Sequence, residues 1–468
     1  MENRSQEQAT LVAAEQGLVT GSLPLKGSWF INDWDPEHPR YHHVAALFNV
    51  INPVTPDLLE KIIVALMKHH DMLRARISGE KGAWQLFISE SEDAPIHWID
   101  LSRVVMSEHA TIVEKAAYDL HRSLDPFAGS LLRIAYFARG GAQPDQLLFI
   151  LHHSIADGYS LAILYSDLEM IYQQVWQGKE IALPPKTVSF KSWSTYLDNY
   201  VQGHLLQDYS WLDYYRSLPW QKLVPLPADY PDPNIQTIVP ATRWVSTLLD
   251  RQEIRALLKW LPSLQLQLVE VLLAALVRAY AKWTGMPVLF LMLTDHGRLA
   301  FPTLKVLRTV GDFARIRWIF LDLSECQSLQ EMLLETKRQM NALPNRGLDL
   351  DFAFHCEDAE VTKQVAHIRM QHQIHFNFIS SLPSYLQKAG TTEDSRGLQL
   401  ANSNIGPPEL ENSYPQKRFP LFCHGNILPE GFRVSWKYDE SVYQQTTVEK
   451  LALYYIESLQ EFARGYSR

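Results

Sequence analysis

A chain of 468 residues that is 46% hydrophobic and 20% charged can bury a full-sized core and is longer than one ordinary domain. Its formal net charge of -9 offers no basic surplus for a phosphate backbone, which argues against broad nucleic-acid binding. Cys326, Cys356 and Cys423 are far apart and lack C-x-x-C spacing, a usage that suits a reducing cytosol and neither a disulfide framework nor a structural zinc site.

The first twenty residues, "MENRSQEQATLVAAEQGLVT", are polar and contain no secretory apolar core. The stretch "TPDLLEKIIVALMKHH" (55–70) predicts a helix, with Thr55 as N-cap, Pro56 at the first helical position, and Leu59, Ile63, Leu66 and Met67 on one face. "QLLFIL" (146–151) is a short continuous apolar run and predicts a buried strand. Leu161, Leu164, Leu168, Ile171 and Val175 then recur at helical spacing. Two Pro-containing stretches read as connectors, 178–190 and 224–240, and the first separates an N-terminal lobe from the remainder. In the second half Val269, Leu272, Leu273, Leu276 and Tyr280 mark a buried helix that Glu270, Arg278 and Lys282 disqualify from spanning a bilayer. "VLFLML" (288–293) follows as an apolar strand, and Thr446 with Glu449 stands in capping-box spacing before the last helix. The chain is expected to be a soluble, cytoplasmic α/β protein with a strand–loop–helix unit in each half.

The stretch "FILHHSIADGYS" (149–160) links the predicted buried strand to the helix after it. A loop leaving a buried strand holds its side chains in place, and an imidazole accepts a proton at neutral pH without costly tuning. Adjacent side chains on an extended backbone point to opposite faces, so His152 and His153 cannot share one job. Asp157 precedes Gly158, where a sharp turn is expected to fold the carboxylate beneath the loop, toward an arginine or another hydrogen-bonding partner. Two blander readings compete. Paired histidines can simply cap a strand, and His42–His43 and His69–His70 are paired as well. Two histidines and Asp157 can also be metal ligands, but adjacent histidines seldom converge on one ion and no HExxH or Cys/His cluster supports them; no metal is expected.

"HHSIADG" (152–158) is similar to the H-H-x-x-x-D-G signature of the condensation-domain superfamily of nonribosomal peptide synthetases. "HDMLRARI" (70–77), "PFAGSLLRIAYF" (126–137), "SFKSWSTYL" (189–197), "KWTG" (282–285), "RTVGDF" (308–313), "PNRG" (344–347) and "FNFISSL" (376–382) resemble further family segments in the family's order. The resemblance implies two chloramphenicol-acetyltransferase-like lobes, 21–180 and 181–468 after an N-terminal segment 1–20, in a V shape with a central channel. It implies His153 as the catalytic residue, His152 as its support, an ion pair between Asp157 and Arg74, and Gly158 as the point where the backbone passes close to the donor arm. Thr294, His296 and Asn377 would line the substrate channel.

By the same resemblance the enzyme binds no cofactor itself. An acyl group arrives on the phosphopantetheine of an acyl or peptidyl carrier protein in trans and passes to a small-molecule amine or alcohol, with no nucleic acid or membrane as partner. Free-standing, chain-releasing members, such as the ester-forming condensation enzyme of enacyloxin assembly, are the kind expected. No G-x-D-S-L carrier motif, adenylation signature, GxSxG elbow or P-loop is present, so the chain is expected to be free-standing or an excised domain. Two departures from the family pattern stand out. "TDHGRL" (294–299) has Thr294 where epimerization domains carry a glutamate, and "PLKGSWFIND" (24–33) lacks the usual opening P-I-Q. An epimerization variant, a non-catalytic recruitment domain and an acyltransferase using soluble acyl-CoA are the alternatives.

Overall fold

The structure, a computed structural model, describes residues 16–19, 43–79, 84–90, 93, 95–141, 143–230, 242–353, 358–378, 397–401, 421–428 and 430–465. The opening motif at 24–33, His42, Cys356, residues 231–240 of the second connector and the end of "FNFISSL" lie outside them. The chain forms two compact units. The first runs to Asn199 and also takes in Phe301–Phe313 and the strand Leu398–Leu400, both from the stretch 181–468; the second comprises the rest.

In the first unit strands β1 (Gly17–Leu18), β3 (Ala75–Ser78) and β4 (Gln85–Ile88) make a small antiparallel sheet. The main sheet contains β2 (His43–Val50), β5 (Ile96–Asp100), β6 (Leu132–Ala138), β7 (Asp145–His152) and β12 (Leu398–Leu400), in the order β12-β2-β7-β6-β5. Helix α1 (Pro56–His69) starts as its sequence requires: Thr55 accepts from the Leu58 amide, Pro56 opens the first turn, and Leu59, Ile63, Leu66 and Met67 are buried. Alternation along β7 divides its apolar run between two layers. Leu148 and Ile150 pack with Val113, Ala117 and Leu120 of helix α2 (His109–Ser123). Phe149 and Leu151 face Leu66 of α1 and Leu161, Leu164 and Leu168 of helix α3 (Gly158–Trp176).

The second unit is built on a mixed six-stranded sheet, β10-β9-β11-β13-β14-β8, comprising β8 (Thr242–Asp250), β9 (Val288–Asp295), β10 (Arg315–Asp322), β11 (Ile374–Asn377), β13 (Leu421–Leu428) and β14 (Gly431–Asp439). Leu289, Leu291 and Leu293 turn one face of β9 toward the buried helix Leu268–Thr284 and the last helix, Gln445–Gly465. That last helix starts at Gln445, so Thr446 lies inside it and the expected capping box does not form. Asp229 ties down this helix start, accepting from the Gln444 amide at 2.9 Å and the Thr447 hydroxyl at 3.0 Å. Among the described residues no single helix is long and apolar enough to cross a membrane. Cys326 and Cys423 are free thiols.

Candidate active site

His152 ends β7 on the same face of the pleat as Leu148 and Ile150, toward α2, and is completely buried. Its Nδ1 accepts from the Ser154 amide at 3.2 Å and lies 2.7 Å from the Ser154 hydroxyl. Its ring meets His43, its register partner on β2, edge-on at 5.8 Å, and His43 stacks on His121 of α2 at 5.2 Å. His153 follows outside the strand, and a fifth of its side chain remains exposed. The two imidazoles are therefore placed differently: His152 closes the strand inside the core, and His153, in the turn that follows, stays partly exposed.

Asp157 is the N-cap of α3. One carboxylate oxygen accepts from the Ser160 amide at 2.7 Å and the other from the Phe313 amide at 3.1 Å. The expected ion pair with Arg74 does not form. Arg74 donates through Nε to the Met67 carbonyl, through Nη1 to the Ser89 carbonyl and through Nη2 to Asp71. The physical reason is local: Asp71 sits one helical turn before Arg74 and takes its Nη2, while the Ser160 and Phe313 amides hold the Asp157 carboxylate in place. Gly158 is the first residue of α3, entered from the extended Asp157 cap, and it is not among the glycines with positive φ.

The segment 311–313 is fastened to this loop. Ser160 donates its hydroxyl to the Gly311 carbonyl at 2.8 Å and accepts from the Gly311 amide at 3.1 Å. Phe313 packs against Phe190 and Trp193, with ring centres 5.1 and 4.7 Å away. Between these anchors Asp312 brings Oδ1 to 3.5 Å from His153 Nδ1, with its own side chain only 4% exposed. At that separation the two are in charge contact, just beyond a formed hydrogen bond. Burial acts to lower the His153 pKa, but the Asp312 carboxylate, with Asp157 behind it, more than offsets this and raises the pKa above the ordinary histidine value.

A second polar cluster borders the same helix. Asp167 of α3 accepts from His70 at 3.0 Å and from Arg308, while Lys186 joins Arg74 on Asp71 at 2.8 Å. Burial alone would raise the Asp167 pKa; His70 and Arg308 hold it below the usual carboxylate range. His69, His70 and Asp167 have ligand atoms within 4.8 Å of one another. Arg308 and Lys186 crowd that spot with positive charge, which opposes a divalent cation there.

In the second unit Thr294 and Asn377 are register partners on β9 and β11. Thr294 Oγ1 lies 2.8 Å from His375 Nε2, and Asn377 Oδ1 is buried without a hydrogen bond among the described residues. Burial, with His372 and His424 nearby, pushes the His375 pKa down to about 3, so the imidazole that meets Thr294 is neutral. His296 is buried and turns back on its own loop, its Nδ1 accepting from the Arg298 amide at 3.1 Å. Thr294 and Asn377 are thus brought together, and His296 is engaged locally. Asp312, His375, Asp167 and Arg308 were not singled out from sequence. Asp312 and Arg308 sit inside the motif "RTVGDF", but nothing in the order of residues says which side chain a carboxylate in a loop will meet.

Residues 20–467 match the condensation domain family. The chain is 32% identical over 457 residues to one of the linear gramicidin synthase proteins of Brevibacillus parabrevis, covering 96% of this chain and 6% of that protein. It therefore spans a small part of such curated relatives. Among solved structures, the epimerization domain from the third module of tyrocidine synthetase B superposes with a TM-score of 0.80 at 23% identity, covering 97% of each chain. The structure describing condensation domain-mediated chain release from the enacyloxin polyketide synthase superposes with a TM-score of 0.69 at 14% identity, covering 97% of this chain and 84% of the other. The α/β fold of chloramphenicol-acetyltransferase type expected from the sequence is the fold these neighbours share.

Proposed function

Since the chain belongs to the condensation-domain family, we propose that it transfers an acyl group from a carrier-protein phosphopantetheine thioester to an amine or hydroxyl acceptor, with His153 as general base. The observation that carries this reading is the division of the paired imidazoles. His152 is sealed in the core, and His153, partly exposed, is set on a loop braced at both ends with a carboxylate beside it.

The step balances without an acyl-enzyme. His153 takes the acceptor's proton as the acceptor attacks the thioester carbonyl, and the proton then goes to the departing pantetheine thiolate. The products are an ester or amide and a free thiol. Burial raises the Cys326 and Cys423 thiol pKa values, so neither is an activated nucleophile, and Ser154, beside His152, is buried with it. Holding donor and acceptor together supplies the larger share of rate, roughly 7–11 kcal/mol, and a positioned base adds a factor of about 10²–10⁴. Release of a finished polyketide or nonribosomal chain onto a small soluble acceptor is the form of the reaction we favour.

Epimerization needs a second group that can exchange a proton. Thr294 stands where that group is expected, its hydroxyl does not titrate near neutrality, and its partner His375 stays neutral down to about pH 3. The test is incubation with acylated carrier protein and a panel of small amines and alcohols, followed by mass spectrometry. A new ester or amide is expected, and His153→Ala should form it about 10²-fold more slowly or worse while still folding cooperatively. Undiminished transfer by that variant would remove His153 from the chemistry. Loss of α-deuterium from a carrier-bound aminoacyl group, with no transfer product, would replace acyl transfer by epimerization.

A further inference from the structure

We infer that Asp312 is a positioning residue for His153: its carboxylate holds the imidazole in the tautomer protonated at Nδ1 and leaves the Nε2 lone pair as the basic site. The inference rests on the acyl-transfer reading for its consequence in catalysis, but its structural content stands on three observations independent of that reading.

The first is the contact. Asp312 Oδ1 lies 3.5 Å from His153 Nδ1, is itself buried, and makes no hydrogen bond among the described residues. A buried carboxylate oxygen without a donor is costly, and an Nδ1–H directed at it removes that cost. A neutral imidazole carries a single N–H, so placing it at Nδ1 leaves Nε2 as the acceptor.

The second is that the backbone around Asp312 has little freedom to carry it elsewhere. Ser160 brackets Gly311 through both its amide and its carbonyl, and Asp157 accepts from the Phe313 amide. Phe313 is wedged among buried aromatic rings. A Cβ on Gly311 would come within 2.2 Å of the Phe190 ring, so this path requires a glycine. Helix α3, the histidine loop and the segment 311–313 therefore form one braced piece, and Asp312 is the residue that the piece presents to the imidazole.

The third is charge. When His153 takes up a proton the imidazolium forms beside Asp312, and the carboxylate stabilises the charge as it develops. Among the described residues the carboxylates that act on the ring are Asp312 and Asp157, and the His153 carbonyl is a further acceptor for it; Asp157 accepts from two backbone amides and, like that carbonyl, remains in place in any Asp312 variant.

The test uses ¹⁵N-histidine-labelled full-length protein. His153 is assigned by the resonance lost in His153→Gln, and its tautomer and titration are read by NMR in the parent, in Asp312→Asn and in Asp312→Ala. In the parent Nδ1 should carry the proton, and the titration should lie above that of an unperturbed histidine. Either variant should lower the midpoint. Asp312→Asn, whose amide can donate to the ring, should in addition move the neutral proton to Nε2 and slow transfer by about 10²-fold or more. Asp312→Ala should slow it less and shift the acid limb of the pH–rate profile to lower pH. Thermal melts confirm folding of each variant, and Asp312→Ala serves if the asparagine form does not fold. An unchanged His153 midpoint and tautomer in the folded variants would overturn the proposal even if His153 proves essential for transfer. If instead the NMR behaves as expected and no acyl transfer is found with any acceptor, the positioning role stands and the functional reading fails.

Discussion

Asp157 shows at the scale of one residue how a motif position can keep its importance while changing its partner. The carboxylate caps α3 through the Ser160 amide and fastens Phe313 through a second amide. Asp157→Ala removes a cap, worth about 1 kcal/mol, and leaves the buried Phe313 N–H without an acceptor, at about 1–3 kcal/mol, so a loss of about 2–4 kcal/mol is expected in denaturant titrations. Asp157→Asn retains an acceptor oxygen and should lose less. Arg74 serves Asp71, Met67 and Ser89 instead, so the stability effects of Asp157→Ala and Arg74→Met should add to within about 0.5 kcal/mol. A coupling energy well above that would reinstate the ion pair. Different placements for His152 and His153 were expected from the pleat; in the structure they arise because β7 ends at His152 and the chain turns at His153. The partner of Asp157 was not legible, because backbone amides and cations from several segments compete for any loop carboxylate and only the folded distances choose.

Among elements, α1, α3, the connector around Lys186 and the segment around Arg308 meet through His70, Asp71, Asp167 and their cations. "HDMLRARI" and "RTVGDF" supply opposite sides of this network, so two motifs read separately in the sequence are one structure in the fold. Helix starts follow the same division. Thr55 caps α1 as local spacing requires, whereas Asp229 reaches the start of the last helix from a remote loop, and the capping box that Thr446 and Glu449 spell out does not form. The network also sets a pH dependence. Burial first, then His70, Lys186 and Arg308, push the His69 pKa down to about 4, with Asp167 opposing. Between about pH 4 and 6.5 the unfolded chain binds a proton here that the folded chain refuses, so stability falls as the pH drops through that window. Asp167, held low, acts in the other range: its contribution is present above the usual carboxylate range and is lost on further acidification. His69→Gln should therefore lose less Tm than the parent between about pH 7 and pH 5. Equal losses would mean that His69 titrates normally in the folded protein.

For the whole molecule, the consequential fact is that the first unit is not a continuous run of sequence. Its main sheet is finished by Leu398–Leu400, which pairs with Phe48–Val50 of β2, while Glu169 accepts from the Gly397 and Leu398 amides and Tyr165 donates to the Leu398 carbonyl. Arg308, Gly311, Asp312 and Phe313 also return to it from beyond residue 300. Hydrophobic periodicity and turn signals describe neighbours along the chain, so they reveal helices and strands but carry no sign that a mostly irregular stretch such as 301–313 will come back to an earlier unit. A fragment ending at Asn199 would leave Asp167, which is fully buried, without Arg308, Asp157 without the Phe313 amide, and an edge of β2 unpaired. Removing one partner of a buried ion pair costs about 3–5 kcal/mol, a large part of the roughly 5–15 kcal/mol that stabilises a typical domain. Residues 1–199 expressed alone should give no cooperative thermal transition by circular dichroism, and their His153 should titrate without the upward shift that Asp312 imposes. A fragment melting cooperatively near the full chain's Tm would mean that the returning segments decorate a unit already stable without them, and the bracing of the histidine loop would then have to come from within residues 1–199.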